Sequence, residues 1–246
     1  MPPAKKIISN GTTIAYQATE GKTPGIMFLG GFMSNMNGLK ALALEKHCKN
    51  KGHAFVRFDY RGHGESSGNI SSFTIGGGIT DSLNVLDNLT QGPQILIGSS
   101  MGGWIMLQLA ILRPLRISSL IGIAAAPDFT ERLIWEKLSA AEQNHFQKVG
   151  SLELPSKYSN TSEIITFKLI KDARKYLVLN QPIAINKPIR LLHGMQDLDV
   201  PWQHSIDIQR LSNSDNISVI LIKDADHRLS REPDITRILN ELDLLC

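Results

Sequence analysis

Gly98-Ser99-Ser100-Met101-Gly102 separates a short β-rich run, Gln94–Ser99, from a long apolar one, Met101–Leu112. A serine on a sharp strand-to-helix turn projects its hydroxyl above the carboxyl edge of a sheet. The turn is strained and its backbones approach closely, so small residues are needed two positions away on each side. Gly98 and Gly102 meet that demand around Ser100, whereas Ile97 and Met101 fail it around Ser99. Ser100 is the candidate nucleophile. Its hydroxyl needs a base to take the proton and an acid to orient the base. Both follow downstream in the order nucleophile, acid, base. The acid lies in His193-Gly194-Met195-Gln196-Asp197-Leu198-Asp199-Val200-Pro201, best placed at Asp197, with Asp199 the rival. The base is His227, in Asp224-Ala225-Asp226-His227 after the run Ile217–Lys223. The other histidines fit worse: His47 and His53 flank a helix end, and His63 precedes the serine. His145 falls in an irregular stretch, His193 precedes the acid and His204 begins a helix.

Acyl transfer also needs donors aimed at the developing oxyanion. One is the backbone N–H after the nucleophile, at Met101. The second is expected from Gly30-Gly31-Phe32-Met33, where Gly31 lets the chain turn and the Phe32 N–H face the site. No metal or cofactor is expected. His47, Cys48 and His53 have no second cluster to complete a ligand set, and Gly62–Gly68 lacks the spacing of a dinucleotide loop. Cys48 reads as a helix residue, not a nucleophile.

Positioning these residues is the task of strands alternating with helices, the pattern of a mostly parallel twisted sheet covered on both faces. Strands are expected at Thr12–Ala18 (antiparallel), Gly25–Leu29, Ala54–Tyr60, Gln94–Ser99, Ser118–Ala126, Ile189–His193 and Ile217–Lys223. Helices are expected at Gly38–Lys51, Ile79–Leu89, Met101–Leu112, Gln203–Leu211 and Asp234–Leu245. From about Pro127 to Lys187 the alternation stops, leaving short helical patches around Glu131–Leu138 and Ser162–Leu179. Core strands flank this stretch, so it reads as a lid inserted into a single domain spanning 1–246. Phe129, Leu133, Ile134, Trp135 and Leu138 recur near helical spacing. They either staple the lid to the core or line an acyl pocket, the lining candidates being Phe129, Leu133, Trp135 and Leu138.

Composition narrows the function classes. The 246 residues are 42% hydrophobic, enough for a sizeable core, and the net charge is +3 with neither sign gathered into a block. That speaks against a nucleic-acid binder. No apolar run is long enough for an integral membrane segment, and the two cysteines cannot build a disulfide framework.

At these residues the chain resembles the α/β-hydrolase superfamily, and the resemblance covers nearly all of it. Asp59-Tyr60-Arg61-Gly62-His63-Gly64-Glu65-Ser66 is similar to the superfamily's D-x-R-G-x-G-x-S loop. His193-Gly194 through Asp197 to Val200-Pro201 is similar to its H-G-x-x-D-x-x-V-P acid loop. The stretches Gly30–Ala41 and His53–Tyr60 resemble one branch, the abhydrolase-domain acyl-protein thioesterases, also called mycophenolic acid acyl-glucuronide esterases. The resemblance implies an α/β-hydrolase fold and hydrolysis of thioesters or activated esters, on a small-molecule or acylated-protein substrate, with no cofactor. Gly30 departs from many members, which carry a histidine before the oxyanion glycine; the loop lacks that support here. Vertebrate members are mitochondrial, but no Arg-rich stretch precedes Ile7, so a cytoplasmic location is expected. A general carboxylesterase of small esters, or a hydrolase-fold binding protein with negligible turnover, are the alternatives.

Overall fold

Every second residue of the central strands goes to one side of the sheet, and both sides are apolar. The computed structural model describes residues 3–155 and 162–246. In chain order, its elements begin with β1 (Lys5–Ser9), β2 (Thr12–Thr19), β3 (Lys22–Leu29), α1 (Leu39–Lys51), β4 (His53–Phe58) and α2 (Ile75–Leu89). They continue with β5 (Gln94–Ser99), α3 (Met101–Leu112) and β6 (Ile117–Ile123). Beyond β6 lie a π-helical turn (Thr130–Ile134), a 3-10 turn (Trp135–Lys137), α4 (Ala140–Val149), β7 (Ser151–Pro155), β8 (Ser162–Thr166) and α5 (Phe167–Ala173). The chain then returns to the sheet through β9 (Ile189–Gly194), α6 (Gln203–Leu211), β10 (Ile217–Ile222) and α7 (Glu232–Asp243).

The main sheet has eight strands in the order β1-β2-β4-β3-β5-β6-β9-β10. β2 runs antiparallel to β1 and β4, and the remaining neighbours are parallel. Met27, Leu29, Leu96, Leu120 and Leu191 pack on one side with α2 and α3. Ile26, Phe28, Ile95, Ile97, Ile121, Ile123 and Leu192 pack on the other with α1 and α7. Strands buried on both faces read as continuous apolar runs, which is why the parallel core is plain in the sequence.

Several boundaries differ from the sequence expectation, each for a local reason. α2 begins at Ile75, not Ile79, with Thr74 accepting the Gly77 N–H as its cap. Gly76, Gly77 and Gly78 are poor helix formers on propensity, but a Cβ at Gly76 would meet the Tyr176 hydroxyl at 2.5 Å. Tertiary packing selects glycine there and overrides the propensity. β6 stops at Ile123, because Ala124 takes a left-handed φ of 45° and turns the chain out of the sheet. The patch expected to be helical over Ser162–Leu179 is strand β8, helix α5 and a 3-10 turn (Arg174–Tyr176). Thr166 starts α5 by accepting the Leu169 N–H, and β8 pairs antiparallel with β7. α4 was not expected; Ser139 and Glu142 form a reciprocal capping box at its start. Of the stretch 127–187, residues 156–161 lie outside the described residues, as do Met1 and Pro2.

The two ends of the stretch between β6 and β9 are tied to each other, and its later end is tied to the core. The buried Asp128 carboxylate accepts the Val178 and Leu179 N–H groups at 2.8–3.1 Å. Trp104 Nε1 and Gln108 Nε2 of α3 both donate to the Tyr176 carbonyl, at 2.9 and 2.7 Å. The helix that carries the candidate nucleophile at its start is thus the platform on which this stretch docks.

Candidate active site

Ser100 joins β5 to α3 with φ 54° and ψ −120°, a conformation that costs a non-glycine residue about 1–3 kcal/mol. The surrounding backbone holds it there. Its N–H donates to the Ile123 carbonyl at 2.9 Å, and its carbonyl accepts from Gly103 and Ala126 at 2.9 and 3.0 Å. A Cβ at Gly98 would lie 2.4 Å from the Gly102 carbonyl oxygen, and one at Gly102 would lie 2.1 Å from that of Leu29. Any side chain at either position would push the turn apart.

Two further turns bring the candidate acid and the candidate base to this point. Leaving β9, the chain folds so that Asp197 Oδ1 accepts the Asp199 and Val200 N–H groups at 2.9 and 2.8 Å. Leaving β10, Asp226 Oδ1 accepts the Arg228 and Leu229 N–H groups and closes the loop around His227. Lys40 of α1 donates to the Arg228 carbonyl from the other side; burial pushes its ammonium pKa down to about 8. The result is a line of hydrogen bonds: Ser100 Oγ to His227 Nε2 at 3.0 Å, and His227 Nδ1 to Asp197 Oδ2 at 2.7 Å. The Asp197 carboxylate has no solvent exposure, and the His227 side chain keeps 16%.

Asp197 stays ionised against its surroundings. Burial opposes the charge, but hydrogen bonds from His193, His227 and the Val200 N–H outweigh it and hold the carboxyl well below the usual carboxylate range. The donor from His193 was not anticipated. His193 Nε2 faces Asp197 Oδ2 at 3.1 Å and the Val200 carbonyl at 3.0 Å, and Nδ1 faces the Ser205 hydroxyl at 2.8 Å. A carbonyl can only accept, so Nε2 carries the proton and Ser205 donates to Nδ1. His193 stands four residues before Asp197 in the acid loop, but as a candidate base it was set aside for its place in the chain.

Asp199, the rival acid, donates its N–H to Asp197 Oδ1 at 2.9 Å, and it is Asp197 Oδ2 that lies 2.7 Å from His227 Nδ1. Asp197, Asp199 and His227 are nonetheless the one group of three candidate metal ligands among the described residues with ligand atoms within 4.8 Å. His227 Nδ1 and Asp197 Oδ2 are already each other's partners, so a cation there would compete with the bond that orients the ring. Cys48 is buried on α1, and burial pushes its thiol up to about 12, far from a nucleophilic thiolate.

The loop after β3 lies beside Ser100: a Cβ built at Gly31 would be 3.4 Å from the Ser100 Cβ. Among the described residues, neither the Phe32 N–H nor the Met101 N–H has a hydrogen-bond acceptor. The Phe32 ring is surrounded by Phe73 at 5.9 Å, His63 at 6.0 Å and Phe129 at 6.4 Å. Of the lining candidates, Phe129 also touches Trp104 at 5.9 Å. Trp135 packs away from these rings, against Phe146 and Phe167 at 6.3 and 5.7 Å, with the Arg174 guanidinium 4.6 Å from its centre. Leu138 is half-buried against the core, and Leu133 is half-buried without joining it.

Comparison with known proteins agrees with this architecture. A family model described as alpha/beta hydrolase fold matches residues 26–166. The mouse protein named palmitoyl-protein thioesterase ABHD10, mitochondrial, is 44% identical over 231 residues, covering 94% of this chain and 77% of the mouse one. The human protein of the same name is 43% identical, covering 94% and 75%. The solved structure of mouse alpha/beta hydrolase domain-containing protein 10 superposes with a TM-score of 0.92 at 42% identity, over 98% of this chain and 97% of that one. A putative hydrolase from Agrobacterium vitis S4 gives 0.94 at 35% identity, covering 98% of each. The mitochondrial designation of these relatives corrects the expected cytoplasmic location. That expectation was drawn from the residues before Ile7, and a hydrolase core carries no address of its own. Among the described residues no helix is long and apolar enough to cross a membrane.

Proposed function

The chain belongs to the α/β-hydrolase family, and from that premise we propose that it cleaves thioesters or activated carboxylic esters through an acyl-enzyme formed on Ser100. His227 Nε2 takes the hydroxyl proton as Ser100 Oγ attacks the acyl carbonyl, and Asp197 holds the ring with Nδ1–H toward it. The Phe32 and Met101 N–H groups hold the oxyanion. His227 then hands its proton to the departing thiolate or alkoxide, and next takes one from the water that frees the acid.

The observation that carries this reading is the unbroken line from Ser100 Oγ through His227 to Asp197, at 3.0 and 2.7 Å. Those lengths suit proton transfer without rearrangement. The names of the relatives favour long-chain acyl thioesters on proteins over small esters. We read the chain as one domain in which residues 127–187 act as a lid. Phe129, beside the Phe32 ring, is its lining residue nearest the oxyanion loop, and Trp135 braces the lid internally.

The test pairs a fluorophosphonate probe with a panel of p-nitrophenyl esters and acyl thioesters of graded chain length. Labelling that Ser100→Ala abolishes, with turnover reduced at least about 10³-fold, is the expected result. Turnover confined to short oxygen esters would mark a general carboxylesterase, and an unlabelled protein would be a binding module.

A further inference from the structure

The oxyanion loop has no secondary structure to hold it, and it lacks the histidine that many family members place where Gly30 stands. Two successive peptide units decide where the Phe32 N–H points. In a trans peptide the C=O and N–H are antiparallel, so fixing the Gly31 carbonyl fixes the Phe32 N–H opposite it. Ser34 does this, donating to the Gly31 carbonyl from Oγ at 2.7 Å and from its N–H at 3.3 Å. The next unit carries the Met33 N–H, and Met33 has a left-handed φ of 56°, which a side chain adopts only when its surroundings enforce it. The Met33 N–H donates to His63 Nε2 at 3.1 Å.

We propose that His63 is a positioning residue for catalysis, and that its unprotonated Nε2 clamps the Phe32–Met33 peptide so that the Phe32 N–H faces the oxyanion. This rests on the hydrolase reading above. The tautomer is set from the far side, where Nδ1–H donates to the Arg61 carbonyl at 3.1 Å. Arg61 in turn is locked by Asp81, which accepts its N–H at 2.9 Å and its guanidinium at 2.6 and 3.0 Å. The same loop grips the far end of the oxyanion segment, where Asp59 accepts the Met36 and Glu65 N–H groups at 2.6 and 2.9 Å. His63 is 4% exposed, wedged edge-on between Phe73 at 4.9 Å, Tyr60 at 5.7 Å and Phe32 at 6.0 Å. The charged groups around it are Asp59, Asp81 and Arg61; burial dominates and lowers its pKa, which keeps Nε2 free to accept. A histidine from a neighbouring loop thus supplies support that Gly30 cannot give.

Three substitutions separate positioning from bulk. His63→Phe keeps a ring and loses both polar atoms. His63→Asn can still reach the Arg61 carbonyl but not the Met33 N–H, whereas His63→Gln extends an acceptor to the Nε2 position. Each is measured for kcat and KM on a p-nitrophenyl ester, for inhibition by an alkyl trifluoromethyl ketone, and for melting temperature. The ketone's hemiketal with Ser100 carries the oxyanion that the substrate ground state lacks. His63→Phe and His63→Asn should lower kcat by about 10–100-fold with KM nearly unchanged, and weaken the ketone by a similar factor. His63→Gln should recover most of both. Asn and Gln variants of equal activity, or losses that follow melting temperature while the ketone keeps its advantage over substrate, would overturn the assignment. A wild-type protein that neither hydrolyses the ester nor binds the ketone would sink the hydrolase reading itself, and this inference with it.

Discussion

His193 lies 3.1 Å from the Asp197 carboxylate, on the same oxygen that faces His227. One carboxylate oxygen therefore serves two imidazole rings. The inner ring is fully buried and fixed by Ser205 and the Val200 carbonyl; the outer ring keeps contact with solvent. The inner ring cannot act as a base, because Nε2 is spent on the acid and the neighbouring carbonyl. It orients Asp197, and Asp197 orients His227.

His193→Gln should therefore slow turnover and lower stability together. A hydrogen bond to a charged group is worth about 1.5–3 kcal/mol, and the glutamine amide can replace only part of the network. The expected loss in kcat is about tenfold or more, with fluorophosphonate labelling slowed but present. Calorimetry and labelling rates check it. Unchanged kcat with only a lower melting temperature would reduce His193 to a structural residue.

Asp197→Asn and Asp199→Asn separate the two acids of the loop. An amide at 197 offers the wrong partner to one of the two rings, and kcat should fall by about 10⁴-fold as in other triads that lose their acid. The 2.7 Å contact to His227 Nδ1 is made by Asp197, and the Asp199 N–H that Asp197 accepts survives in the amide variant, so Asp199→Asn should cost kcat far less than Asp197→Asn. A damaging Asp199→Asn with a mild Asp197→Asn would reverse the assignment.

The glycine-flanked serine, the order of acid and base, and the apolar central strands were legible because each is a local constraint written in a few neighbouring residues. His63 and His193 were in view but judged only as candidate bases. Their roles depend on contacts with Met33 and Asp197 that chain order does not state. The stretch after β6 was least legible. Leu152 and Leu154 alternate as a strand should, and Ser139-Ala140-Ala141-Glu142 is a capping box, but both signals are short and sit in polar surroundings. The patch from Ser162 has enough apolar residues for a helix, and only the cap at Thr166 divides it. The compartment was misread for a different reason, since no residue of the packed core encodes it.

Stability should depend on pH through Asp197. Its carboxyl titrates lower in the folded protein than the ordinary value of 3.8, so the folded state favours the charged form. That contribution is present above the unfolded pKa and is lost as pH falls from about 4 downward. The melting temperature of Asp197→Asn should therefore lie furthest below wild type at neutral pH, with the gap narrowing under acid. A gap that widens below pH about 4 would contradict the depressed pKa.

Activity should survive prolonged dialysis against EDTA. The Asp197–Asp199–His227 group has metal-ligand chemistry, but two of its ligand atoms are committed to the bond that orients the base. Added zinc should inhibit by taking those atoms. Activity lost to EDTA and restored by zinc or magnesium would show that the cluster works as a metal centre.

Phe129 and Trp135 should part company when each is changed to alanine. Phe129 joins the ring cluster around Phe32, between the proposed oxyanion loop and Trp104, so its removal alters the apolar surface beside that loop. A hydrophobic wall discriminates by about 1–3 kcal/mol at most, so Phe129→Ala should lower kcat/KM for long acyl chains by about 10–100-fold and leave acetyl esters nearly level. Trp135 stacks with Phe146, Phe167 and Arg174, side chains that the stretch between β6 and β9 contributes to itself. Trp135→Ala removes the common member of that group and opens a gap against the buried Phe146 ring and the half-buried Phe167. Melting temperature should fall, with similar losses in kcat/KM at every chain length, because on the proposed reading a loosened lid would admit water to every acyl-enzyme alike. A chain-length series for both variants, each paired with its melting curve, decides the matter. If Trp135→Ala shifts chain-length preference at unchanged melting temperature, the acyl pocket lies on the Trp135 side of the lid and Phe129 is the brace.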